Sequence, residues 1–185
     1  LLPMDCHPVF TITEETGTGS AGVLPWDVSE FVGVDIAPSA AGQSTTEHSV
    51  TLCMQDSGGP YDYHLTRHLQ SLCHRDEIPV RRDLFRYYHS DAESAIRSGT
   101  DTRIALVGFG TDATHGYERT HRDSLAALNR LLVAYMFSPP VFEHDEKSDP
   151  PLDNFRDQLS DDTVSASDTV LPPLKRILSQ HKPDS

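Results

Sequence analysis

Short runs of alternating or continuous apolar residues are interleaved along this chain with longer runs in which apolar residues recur at three- and four-residue spacing. Strand-like patterning predicts β-strands over 9–13, 30–36, 49–55, 80–87 and 103–107. Helical spacing predicts a helix over 61–74, where Leu65, Leu69 and Leu72 share one face after the Gly58-Gly59-Pro60 break. A shorter helix is expected over 91–98, closed by Gly99, and a longer one over 122–137, stopped by Pro139-Pro140. In the last, Leu125, Leu128, Leu132, Tyr135 and Met136 form the stripe expected to face the core. Strands alternating with helices point to an α/β class, a mixed β-sheet flanked by helices.

From about residue 141 the pattern dissolves into Asp, Ser and Pro with few aromatic residues. Such a segment buries too little apolar surface to offset its ordering entropy, so 141–185 reads as a mobile acidic tail behind a folded unit over 1–140. The stretch 170–179 is apolar enough to dock as a short amphipathic helix, although disorder is the simpler expectation.

Charge and cysteine usage narrow the function classes. With a net charge of −13 over 185 residues and no clustered basic face, nucleic acid and anionic membranes are not expected partners. No apolar run approaches the about 20 residues of a membrane span. The three cysteines, Cys6, Cys53 and Cys73, form no CxxC and cannot all pair, which suits reduced thiols in a cytoplasmic protein.

Candidate chemistry gathers at element ends. Glu14 and Glu15 are adjacent carboxylates closing the first apolar run, and neighbouring acids at a strand end can divide labour between a metal and the water it activates. An exposed Glu-Glu pair is also ordinary solvated surface. Asp35 sits in an apolar strand, where a carboxylate needs a partner or a cation. The segment 112–121 adds His115, Arg119 and His121 just before the last helix, and imidazole beside carboxylates suits zinc, cobalt or manganese. His64 and His68, at i and i+4, lack the Glu of an HExxH motif and read as solvated side chains. The glycine run at Gly17, Gly19 and Gly22 lacks the Lys of a phosphate loop and reads as a tight turn.

Several blocks in one order carry a resemblance: TITEETGTGSAG from Thr11, VGVD ending at Asp35, MQDSGGPYDYHLTR from Met54, FRYYHSDA from Phe85 and HGYERTH ending at His121. Together they resemble the deblocking and glutamyl aminopeptidases of metallopeptidase family forty-two, which includes the large tetrahedral aminopeptidases, with the nearest likeness to its osmoprotectant-associated branch. The resemblance implies the C-terminal part of a catalytic domain with two divalent metal ions. It implies Glu14 as general base, Glu15 and His121 as ligands of one ion and Asp35 as a ligand of the other. Ser90, Asp91 and His115 are implied near the substrate, a peptide or small amide, and homo-oligomerisation of the full-length protein is implied as well. Arg119, close to His121 in sequence, reads either as a guanidinium that orients a carboxylate of substrate or of protein or as a solvated surface charge.

The chain also departs from that family. An additional His ligand and a bridging Asp are expected well upstream of the paired Glu, yet only thirteen residues precede Glu14. The expectation is therefore an incomplete dinuclear site with weak metal binding. The alternative of a different class is a degenerate, non-catalytic subunit that needs another chain to complete it.

Overall fold

The computed structural model describes residues 2–141 apart from Trp26. The expectations for the acidic tail and for 170–179 lie outside the described residues. Four strands form one mixed sheet: β1 (Glu30–Pro38), β2 (Val50–Gln55), β3 (Val80–Leu84) and β4 (Arg103–Thr111), in the spatial order β1-β4-β2-β3. β1 runs parallel to β4, β2 runs parallel to β3, and β4 meets β2 antiparallel. Three helices accompany it: α1 (Tyr63–Arg75), α2 (Ala92–Arg97) and α3 (Arg122–Met136).

β4 lies between β1 and β2, and its residues Ile104 to Leu106 and Val107 are buried, as an interior strand requires. One face of the sheet packs against α1 and α3 through Val50, Leu52, Leu65, Leu69, Ala105, Val107, Leu128 and Leu131. A separate apolar group on Ala37, Cys53, Tyr61, Phe85, Ala92, Ile104 and Leu106 brings α2 against the strands. α1 starts at Asp62, whose carboxylate accepts the Leu65 N–H at 2.7 Å, a capping bond that satisfies one orphan donor of the first turn.

Four expected strands and all three helices are found, with four differences. The strand expected over 80–87 stops at Leu84. Residues 9–13 form no strand: Phe10 and Ile12 are 93% and 97% exposed, and no described strand lies alongside them to pair with. β4 continues past Val107 to Thr111 through two glycines that a pattern search reads as a break. Both are close-approach positions: a Cβ on Gly108 would stand 2.7 Å from Ala37 Cβ, and one on Gly110 would stand 2.0 Å from the Thr46 carbonyl oxygen. The buried face of α3 is also rotated from the expected stripe, with Ser124, Ala127, Leu128 and Leu131 inward and Leu125 exposed. Ser124 goes inside because its hydroxyl is used there, accepting the Gly110 N–H at 2.7 Å and donating to the Ser49 carbonyl at 2.9 Å.

Candidate active site

A short 3-10 turn over Glu14–Thr16, closed by the Gly17 N–H on the Glu14 carbonyl at 2.7 Å, presents the two adjacent acids. The turn is fastened to the start of α2. The Ser20 hydroxyl donates to the Asp91 carbonyl, and the Ser94 hydroxyl donates to the Gly17 carbonyl at 2.6 Å. The turn, β1, the 85–91 loop and the 114–118 segment together line a cavity of about 710 Å³. Of the eight residues singled out from sequence, six line it: Glu14, Glu15, Asp35, Ser90, Asp91 and His115.

The carboxylates in this cavity are electrostatically frustrated. Burial raises the Glu14 pKa, and the charges of Asp35, Asp91 and Glu15 push it further, against a backbone hydrogen bond from Asp91. Burial likewise raises Asp35, whose charged form is favoured by the Ile36 N–H at 2.7 Å and by the Ser90 hydroxyl and opposed by Asp91 and Glu15. Asp91 is raised by burial as well. The Thr11 hydroxyl and Ser20 amide favour its charged form, but Oδ2 is buried without a hydrogen-bond partner.

Among the described residues, no Lys or Arg lines the cavity to compensate these acids. Carboxylates brought together at one cavity, their charged forms disfavoured by burial and by one another, form an oxygen-rich donor set that fits a divalent cation. His115 brings an imidazole to the same place, its Nε2 lying 3.4 Å from Glu15 Oε2.

Two expected site residues stand elsewhere. Arg119 is paired with protein carboxylates, Asp112 at 3.0 Å and Glu47 at 3.4 Å, and does not line the cavity. His121 is the N-cap of α3, where Nδ1 accepts the Asp123 N–H at 3.2 Å, and its ring centroid is 4.3 Å from that of His48. Among the described residues, His48, His121 and Asp123 form one group of potential metal ligands, exposed, with donor atoms within 4.8 Å of one another. The expectation that His68 is merely solvated is corrected by its half-buried setting, where Nε2 is 2.9 Å from the Ser138 hydroxyl and burial lowers its pKa.

Sequence reasoning did not single out Asp56, a buried acid of the cavity wall. It accepts from the Tyr61 hydroxyl at 2.5 Å, the Gly58 N–H at 2.9 Å and the Ser90 N–H at 3.3 Å, so it anchors the 88–91 loop and is already satisfied. Its signal was its place two residues before the Gly58-Gly59-Pro60 turn. Phe85, Tyr87 and Tyr88 also line the cavity and were not predicted as site residues, because aromatic residues at a strand end read as core.

Comparison with known proteins agrees with this architecture. YhfE of Bacillus subtilis (strain 168), an aminopeptidase by name, is 41% identical over 140 residues, covering 76% of this chain and 40% of that protein. The chain thus spans about 40% of the length of that curated relative. The TET1 peptidase of Pyrococcus horikoshii shares the fold at a TM-score of 0.59 and 17% identity, over 70% of this chain and 40% of that one. The TET aminopeptidase of Thaumarchaeota archaeon SCGC AB-539-E09 does so at 0.55 and 18% identity, over 69% of this chain and 38% of that one. With the M42 glutamyl aminopeptidase profile matching residues 1–131 on top of this shared fold, the chain belongs to the M42 metallopeptidase family.

Proposed function

We propose that this chain carries the acidic part of the active site of a metal-dependent aminopeptidase-like hydrolase that cleaves a peptide or small amide bond. The observation that carries this reading is the convergence of Glu14, Glu15, Asp35 and Asp91 on one cavity whose lining, among the described residues, holds no Lys or Arg. Two divalent ions, zinc, cobalt or manganese, are its cofactors, and they supply Lewis acidity toward a scissile carbonyl and toward water. Glu15 and Asp35 are their carboxylate ligands. His121 joins Glu15 in this reading by family resemblance alone, because its ring contacts His48 and Asp123 in the structure.

The residues of the chain divide the remaining tasks. Glu14, its pKa raised by burial and by the neighbouring acids, takes the proton of the attacking water on its carboxylate and returns it to the leaving amine. Ser90 and Asp91 hold the floor of the cavity beside the reacting group. Phe85, Tyr87 and Tyr88 offer an apolar wall to a substrate side chain, and His115 stands at the mouth to hydrogen-bond the substrate. Assignment to the osmoprotectant-associated branch, homo-oligomerisation of the full-length protein and residence in the cytoplasm belong to the same proposal and rest on motif resemblance and cysteine usage.

The position of His121 outside the cavity lining, with its ring 4.3 Å from that of His48, favours a second reading, a non-catalytic subunit whose site another chain completes. Hydrolysis of aminoacyl p-nitroanilides by the purified chain, with cobalt and after chelation, separates the two. Metal-dependent release that is lost in Glu14→Gln while bound metal is retained supports the hydrolase. Release that persists undiminished in Glu14→Gln removes Glu14 as the base, and no release from wild type with metal bound favours the subunit.

A further inference from the structure

We propose that Tyr61, Asp56 and Ser90 form a hydrogen-bonded relay that sets the orientation of the Asp35 carboxylate, which makes Ser90 a positioning residue rather than a donor to substrate. The inference deepens the hydrolase reading and rests on it for the role of Asp35 as a metal ligand. Two donors grip Asp35: the Ile36 N–H bonds Oδ1 at 2.7 Å, and the Ser90 hydroxyl bonds the same carboxylate. A serine hydroxyl carries a single proton, so the one given to Asp35 is not available to a substrate carbonyl.

Ser90 lies in the 85–91 loop, outside any strand or helix, and needs an anchor of its own. Asp56 supplies it. Its Oδ2 accepts the Ser90 N–H at 3.3 Å and the Tyr61 hydroxyl at 2.5 Å, while Oδ1 accepts the Gly58 N–H at 2.9 Å. A second tie joins the same two segments, the Ser57 N–H donating to the Tyr88 carbonyl at 3.2 Å. Burial and the hydrogen bond to Asp56 raise the Tyr61 pKa, so Tyr61 keeps its proton and is the donor of that bond. Its ring packs with Ala37, Cys53, Phe85 and Ala92, which fixes the start of the relay in the core. Tyr61, Asp56 and Ser90 are all buried, where hydrogen bonds are stronger than at exposed sites. A carboxylate held in one orientation beforehand loses less freedom when an ion binds it.

Two measurements on the full chain test the relay. In crystals of metal-free Ser90→Ala and Tyr61→Phe, the Asp35 carboxylate should leave its wild-type orientation or divide between two. In cobalt titration followed by visible absorption, Ser90→Ala should weaken by about ten-fold the binding component that Asp35→Asn removes. Tyr61→Phe, one link further back, should weaken it less. Leu131→Ala, a core change outside the cavity lining, should lower the thermal midpoint yet leave that component unchanged, which separates positioning from general destabilisation. An Asp35 unmoved in either variant, or a component that Ser90→Ala does not weaken, overturns the relay and leaves the hydrolase reading standing. If Asp35→Asn removes no component, the hydrolase reading falls and the crystal structures alone decide the relay.

Discussion

Ser124→Ala is the substitution from which the structure predicts most. The side chain is fully buried, accepts the Gly110 N–H at 2.7 Å and donates to the Ser49 carbonyl at 2.9 Å. Alanine removes one oxygen, too little for a sizeable cavity, so the cost comes from two buried backbone groups that lose this partner. Each such loss costs about 1–3 kcal/mol, and partial relaxation keeps the pair non-additive, for a total of about 2–4 kcal/mol. For a folded unit of this size, about 3–4 °C of midpoint per kcal/mol gives a fall of roughly 6–16 °C. Differential scanning calorimetry measures it directly. Ser71→Ala, whose exposed hydroxyl bonds only within α1 to the His68 carbonyl at 2.7 Å, should leave the midpoint unmoved. A fall below about 2 °C for Ser124→Ala would refute the claim that this hydroxyl fastens β4, the 46–49 loop and α3 together.

Other consequences can be checked with less effort. Leu131→Ala, at a fully buried position between α3 and the sheet, should cost about 2–5 kcal/mol in urea unfolding, whereas Leu125→Ala on the exposed side should shift the urea midpoint little. Burial pushes the Cys53 and Cys73 thiols up to about 12, so an aromatic disulfide reagent at pH 8 should modify exposed Cys6 alone until denaturant is added. Fast reaction of more than one thiol in the native chain would contradict that burial. Glu14→Gln should retain metal and lose turnover, and Glu15→Gln should lower metal content; the reverse pattern in elemental analysis would interchange their roles.

The parts of the fold that were legible in the sequence are those where one periodicity governs a whole element. Leu65, Leu69 and Leu72 announced α1, and the apolar runs of β1 and β2 announced themselves because those strands bury side chains against helices. Illegibility began where tertiary contact decides. Gly108 and Gly110 look like a strand end but permit β4 to run on beneath Ala37 and Thr46. Phe10 and Ile12 look like a strand but stand exposed with no described partner strand. Ser124 looks like an exposed polar position yet is a buried connector.

The candidate site shows the same division. Glu14, Glu15 and Asp35 were readable because acids at the ends of apolar runs need a physical reason, and they do meet in one cavity. His121 was named from its motif, but nothing in the local pattern showed that its ring would sit with His48, far away in sequence. Arg119 was open to a carboxylate of substrate or of protein, and it is the protein carboxylates Glu47 and Asp112 that hold it. Asp56 could not be separated from a loop acid until the Tyr61 hydroxyl was seen upon it.

Anomalous scattering from crystals of the chain soaked in cobalt tests the central claim most directly, because it locates the ion. The account predicts a peak in the cavity within coordination distance of Glu15 and Asp35, beside Glu14. A cavity without a peak, in crystals where cobalt is bound elsewhere on the chain, would contradict the assignment of the acidic cavity as the metal-dependent active site.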